Sequence, residues 1–183
     1  MKTAKLNSKK GFTIIEVVLV LAIAGLIFVM IFITLPSLQR SQRDTARKKD
    51  VDRFLAAIQT HQANNRNRLP NEINHDAPTT YPGNYVVISD TDFGRQYLNQ
   101  DGYFANPEGV VYVMYPSTYA NPGEVIPNNS FTNDIFVSRG AKCADNGDIE
   151  LTVAQNESRY RANSTRIAIR IKLEDGGVYC VNN

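Results

Sequence analysis

Between Phe12 and Leu35 the chain runs for 24 residues with a single ionisable side chain, Glu16, and otherwise only Thr13, Gly25 and Thr34 to dilute the hydrocarbon. At about 1.5 Å rise per residue, such a helix reaches roughly 36 Å, enough to cross a hydrocarbon core of about 30 Å with some tilt. A secretory signal peptide has a shorter apolar region with a small-residue cleavage site after it. Here the run is longer, and the small residue, Gly11, precedes it. An uncleaved signal anchor accounts for the length and for the lysines ahead of it. It accounts neither for Glu16 nor for the order of residues around Gly11.

A carboxylate inside a membrane-length helix needs a reason. At mid-membrane it costs on the order of 2.5–3.5 kcal/mol on insertion scales, less near the interface, and it usually marks a function with a partner. A cut between Gly11 and Phe12 would expose a new α-amine at Phe12, cationic near neutral pH and one helical turn from Glu16. The pair can form within one chain or between neighbours. Between neighbours, Glu16 of one subunit against the Phe12 amine of the next offsets both desolvation costs and sets an axial step. Such a pair is weak support for stability but good support for register. A tolerated interfacial glutamate is the plainer alternative, and the completeness of the surrounding motif favours the pair.

The string Lys10-Gly11-Phe12-Thr13-Ile14-Ile15-Glu16, followed by an apolar helix, resembles the class III leader and methylation motif of type IV pilins and related pseudopilins. The resemblance is specific over about residues 1–60 and architectural beyond. It implies a prepilin peptidase that cuts after Gly11 and methylates the amine of Phe12, with Glu16 guiding the subunit into a helical filament. It divides the chain into a cleaved basic leader (1–11), a transmembrane assembly helix (12–35), an amphipathic continuation of that helix (36–69) and a globular β-rich head (70–183). Four lysines in the leader, Lys2, Lys5, Lys9 and Lys10, would hold it on the cytoplasmic side. Counting positive charge does not settle orientation, because Arg40, Arg43, Arg47, Lys48, Lys49 and Arg53 follow the run closely. The resemblance decides for the N-terminus inside and the head outside.

Charge is unevenly placed. The chain is formally +2 from 20 basic and 18 acidic residues, so removing the four leader lysines leaves 16 against 18. Residues 36–69 carry eight basic and three acidic groups, and residues 70–183 carry eight and fourteen. Positive charge beside a membrane span is not a nucleic-acid footprint. It fits anionic lipid head groups before assembly, acidic faces of neighbouring subunits afterwards, or simply a solvated helix face.

Pro36 lacks an N–H and crowds the preceding turn, and Gly25 lowers helix propensity. The segment between them is a candidate for kinking, stretching or melting on assembly. Pilins commonly place a proline slightly earlier, where this chain has Ile33. Beyond Pro36, Val51, Phe54, Leu55 and Ile58 form one apolar stripe at helical spacing, expected to pack on a sheet, and Leu69-Pro70-Asn71 is expected to end the helix.

In the head, Tyr85–Ile88, Val110–Tyr115, Ile135–Val137 and Ile149–Val153 read as short strands. Ile167, Ile169, Ile171 and Leu173 alternate with Arg166, Arg170 and Lys172, which predicts a strand with one wet face. Asp175-Gly176-Gly177 then turns into Val178–Val181, a hairpin. Asn106–Gly109 and Tyr115–Asn129 read as loops, and Pro70–Asn84 as an exposed connector. The expected fold class is α+β: a long N-terminal helix, half transmembrane and half amphipathic, packed on a small antiparallel sheet.

Cys143 and Cys180 would both lie in an oxidising space if the head is exported, and an even count invites a bridge, as in the C-terminal disulfide loop of many pilins. Two buried free thiols are the alternative. Other chemistry is thin. His61 and His75 have no metal-spaced companion. Asp145-Asn146-Gly147-Asp148 with Glu150 offers oxygen ligands and is a weak calcium candidate, but it lacks the EF-hand spacing and Asn-Gly is a strong turn signal. Asn128, Asn156 and Asn163 stand in Asn-x-Ser/Thr form, and Tyr112, Tyr115 and Tyr119 fit core, edge or adhesive roles equally.

The expectation is therefore a structural, non-enzymatic subunit without a cofactor. Its partners would be copies of itself or other pilins, the prepilin peptidase, the lipid bilayer, an assembly platform and a cytoplasmic ATPase, since this chain has no phosphate-binding loop. It would sit in the cytoplasmic membrane as a precursor and then in an extracellular filament. A pseudopilin of a secretion or DNA-uptake machine is the close alternative. A signal-anchored exported enzyme or ligand-binding domain is the distant one.

Overall fold

A computed structural model describes residues 11–73, 85–116, 125–126, 132–152 and 164–183. The leader lysines, His75, Tyr119, Val153 and the three Asn-x-Ser/Thr asparagines lie outside the described residues. The chain divides into two compact units, Met1–Gln39 and Arg40–Asn183. One helix, α1 (Ile14–Asn64), contributes to both.

In the first unit α1 is apolar on every side, and an 18-residue window of mean hydropathy 3.1 has none of its residues buried. A helix that is hydrophobic all round belongs in lipid or in the centre of an assembly. Gly25 and Pro36 both lie inside α1 without a break in the helix. Pro36 leaves the carbonyl one turn before it without its usual N–H partner. Nearby hydroxyls bond other carbonyls of the same turns: Thr34 Oγ1 donates to Met30 O at 3.0 Å and Ser37 Oγ to Thr34 O at 3.1 Å. The helix therefore runs unbroken through the expected weak point.

In the second unit α1 buries one stripe. Val51, Phe54 and Ile58 are at most 1% exposed, and Leu55 packs half-buried against the same cluster. The helix ends at Asn64 rather than near Leu69 as expected. Arg66 and Asn67 adopt φ of 54° and 63°, and the Asn67 N–H turns back onto Gln62 O at 2.7 Å. Left-handed residues that satisfy orphan carbonyls are a common way to stop a helix.

Among the described residues eight strands follow: β1 (Val86–Val87), β2 (Val113–Pro116), β3 (Val125–Ile126), β4 (Asp134–Arg139), β5 (Ala141–Cys143), β6 (Ile149–Leu151), β7 (Ile167–Lys172) and β8 (Val178–Asn182). They form a five-stranded sheet in the order β1-β2-β4-β7-β8 and a three-stranded sheet in the order β3-β6-β5. The architecture is α+β as expected, but the main sheet is mixed. β2 pairs with β4 in parallel, Met114 beside Ile135, while its other pairs are antiparallel. A short helix α2 (Asp92–Tyr97), unforeseen in the sequence, is capped by Thr91, whose side chain accepts from the Gly94 N–H. A Cβ at Gly94 would sit 1.8 Å from the Ile88 carbonyl oxygen, so only glycine fits there.

The main sheet is covered on both faces. Met114, Ile135, Val137, Ile169 and Ile171 join the α1 stripe in the principal core. On the opposite face Ala168 packs with Ala141 and Ile149 of the small sheet, beside Phe136 and both cysteines. The expected wet face of β7 is therefore wrong. Arg170 is fully buried, its guanidinium 2.8 Å from Asp148 and 5.0 Å from the centre of the Phe136 ring. Only Lys172 within the strand is partly exposed, with Arg166 just before it in the open. The expected hairpin from β7 to β8 is present, with Ile171 opposite Tyr179. The expected loop over Tyr115–Asn129 contains β3.

Cys143 and Cys180 form a disulfide that ties the small sheet to the main one across 37 positions of sequence. On the chain-entropy account, closing such a loop contributes about 4 kcal/mol. The double replacement Cys143→Ser/Cys180→Ser is expected to lower the unfolding free energy by about 2–5 kcal/mol, read from urea denaturation of the full chain in detergent. A loss below about 1 kcal/mol would show that the bridge constrains nothing the remaining contacts do not already hold.

Candidate assembly motif

Residues 11–13 precede the helix without regular structure, and all three are exposed. No atom outside its chain neighbours lies within 4 Å of where a Cβ at Gly11 would stand. The Phe12 side chain is 89% exposed.

α1 starts one residue after Thr13, and Thr13 and Glu16 close a reciprocal cap. The Glu16 carboxylate accepts from the Thr13 backbone N–H and from the Thr13 hydroxyl, both at 2.9 Å. The Glu16 N–H approaches the Thr13 Oγ1 at 3.4 Å in return. This is the Ser/Thr-x-x-Glu capping box, which satisfies two backbone donors that a helix start leaves unpaired. A negative side chain in the first turn also opposes the positive end of the helix dipole. Glu16 thus has a second reason to stand where it does, inside its own chain. Thr13 was missed as a functional residue, although the Thr-x-x-Glu spacing ahead of an apolar run was a readable signal.

The prokaryotic N-terminal methylation motif, as a family model, matches residues 6–32. The chain carries that methylation motif. It is the class III signal of type IV pilins and pseudopilins, and it supports a precursor of that type. The methylation motif implies processing by a prepilin peptidase and a pilin assembly machinery in general terms. With the apolar first unit of α1, it also points to a membrane-anchored precursor. No curated protein and no solved structure matches the chain.

The matched residues include Gly11, Phe12 and Glu16 but none of the second unit. The basic stretch after the span is only partly a free cationic surface. Arg47 is 1% exposed on its side chain and reaches Asp44 at 3.1 Å, Glu108 at 2.7 Å and Glu174 at 2.7 Å. Arg43 grips Glu174 with two donors at 2.8 and 2.6 Å and lies 3.0 Å from Glu108. Asp44 accepts from the backbone N–H groups of Glu174 and Asp175 at 2.8 and 3.3 Å. Two cations that the sequence offered to lipid or neighbours are thus spent on clamping α1 to the β7–β8 turn and to the Glu108 loop. The Arg43 donors, with those of Arg47, hold the Glu174 carboxyl at about 2, well below its ordinary range.

The calcium candidates do not converge. Asp148 serves Arg170, and Glu150 lies 3.3 Å from Lys142. Asp145 is exposed in the β5–β6 turn, where the Ala144 N–H bonds Asp148 O at 2.8 Å and Gly147 has φ of 83°. Among the described residues no three His, Cys, Asp or Glu side chains gather as a metal site. His61 stands near the end of α1, its ring edge-on to Phe93 and Tyr97 and its Nδ1 3.1 Å from the Arg68 carbonyl. Tyr112 is fully buried and donates to Asp50 at 2.8 Å. Tyr115 stacks on Phe136 with ring centres 5.3 Å apart.

Proposed function

We propose that the chain is a structural, non-enzymatic subunit of a type IV pilus-like filament. The carrying observation is the pairing of the methylation motif with an apolar helical unit that has no cover of its own. Such a surface is covered first by lipid and then by like helices of neighbouring subunits, since the hydrophobic effect penalises any wet intermediate. In this reading the peptidase removes 1–11 and methylates Phe12. Glu16 pairs with the Phe12 amine of an adjoining copy, and Gly25–Pro36 is where the helix yields on assembly. The heads form the filament surface outside the cell, and a membrane platform with a cytoplasmic ATPase drives extension.

The methylation motif is shared with pseudopilins, so a short secretion or DNA-uptake piston is the second reading. Mass spectrometry of the chain recovered from cells tests both together, with a mature N-terminus at methylated Phe12 as the expected result. An intact Met1 would exclude both and leave a signal-anchored exported domain, and a cut beyond Leu35 would exclude both as well. Long surface fibres lost on deletion of the chain favour the pilus, and a secretion defect without fibres favours the piston.

A further inference from the structure

An open cleft of about 550 Å³ lies in the second unit, where the end of α1 meets α2, the 3-10 turn at Asn71–Ile73, the end of β4 and the stretch before β7. Nothing in the assembly reading uses it. Its wall includes Asn67, one of two consecutive non-glycine residues held in the left-handed region.

Three properties of the lining narrow the ligand. Its polar groups include the amides of Asn67, Asn71 and Gln96, each able to donate and accept. Among the described residues these three side chains form no hydrogen bond, so they are available to a guest. Its fixed charges balance, with Arg68 and Arg139 set against Glu72 and Asp92. An anion would need a surplus of cations and a polyamine a surplus of carboxylates, and neither is present. The apolar share, from Leu69 and Phe93, is small, whereas lipid-like or drug-like guests need predominantly apolar walls. A neutral molecule dense in hydroxyl groups matches all three, and the volume holds one or two pyranose rings.

We infer that this cleft binds a neutral saccharide of one or two rings. The inference stands apart from the filament reading and would survive its failure. The test uses the full chain in a detergent without a sugar head group. Maltose, lactose and N,N′-diacetylchitobiose are titrated by saturation-transfer NMR, with inorganic phosphate and spermidine as charged controls. At least one disaccharide is expected to bind saturably in the millimolar range or tighter, with neither control displacing it. Gln96→Ala and Asn71→Ala, both at exposed positions, are expected to weaken it about fivefold or more without shifting the melting curve. Absence of binding by all three sugars, binding equal in wild type and both variants, or displacement by phosphate would overturn the assignment.

Discussion

Arg47→Ala is expected to destabilise the second unit by about 3–5 kcal/mol, the range for removing one partner from a buried ion pair and stranding the other. The guanidinium is almost fully enclosed and faces three carboxylates, of which Asp44 is itself 5% exposed. Without it, Glu108 and Glu174 share only Arg43, and Asp44 keeps only the backbone donors of the β7–β8 turn. Arg43→Ala removes a partner that is 34% exposed, and about 1 kcal/mol is the expected loss there. Arg47→Met restores volume but no charge, so it should behave like alanine. Adding Glu108→Gln to it should recover part of the loss, because one stranded charge is then gone while Asp44 keeps its backbone donors and Glu174 keeps Arg43. Urea unfolding of the full chain in detergent, followed by near-ultraviolet circular dichroism, measures all four. Equal and small losses for Arg43→Ala and Arg47→Ala would mean that water enters the cluster and that the clamp is a surface feature.

The same cluster sets an acid limb. Glu174 titrates at about 2 in the folded chain against an ordinary value of 4.5. A carboxyl whose folded pKa is depressed stabilises fully above its unfolded pKa, and loses that contribution as pH falls through the folded value. The contribution of Glu174 should therefore be complete above about 4.5 and disappear toward about 2. Arg47→Ala should flatten that limb, since fewer donors then hold Glu174 low.

What the sequence showed was what is local to it. The span, the Gly11–Phe12 junction and Glu16 lie within a few turns of one another, and the α1 stripe from Val51 to Ile58 needs only helical periodicity. The β7–β8 hairpin was legible because Asp175-Gly176-Gly177 is a strong turn signal between two apolar runs. The role of Arg170 was not, because an alternating strand reads as half-wet unless a second layer covers it. That layer is built from β3, β5 and β6, of two or three residues each, too short for periodicity to register. The Arg47 cluster was hidden for a related reason. Its carboxylates come from Glu108 and Glu174, and only the tertiary fold brings those to the helix. The parallel pairing of β2 with β4 has no local signature either. Thr13 is a different kind of miss: its spacing to Glu16 was visible, but the intermolecular explanation for the glutamate drew attention away from the one inside the chain.

Two explanations for Glu16 now compete, and glutamine separates them. As the third residue of a capping box, glutamine serves nearly as well as glutamate, because its amide oxygen can still accept from the Thr13 N–H. As a counter-charge for an amine in a greasy bundle it fails. Stranding a charge in an apolar bundle costs up to about 2.5–3.5 kcal/mol, and about 1.4 kcal/mol is already tenfold in each assembly equilibrium. If the proposed pairing holds, Glu16→Gln should retain membrane insertion and helix content yet lose filament yield more than tenfold, as Glu16→Ala also should. Thr13→Val removes the hydroxyl at nearly constant volume and should cost the helix start about 1 kcal/mol, with a milder effect on yield. Processing is checked in each variant by the mass of the mature chain, so that a cleavage defect is not read as an assembly defect. Wild-type filament yield from processed Glu16→Gln, alongside loss in Glu16→Ala, would assign the residue to helix capping. The intersubunit pair would then have no role left.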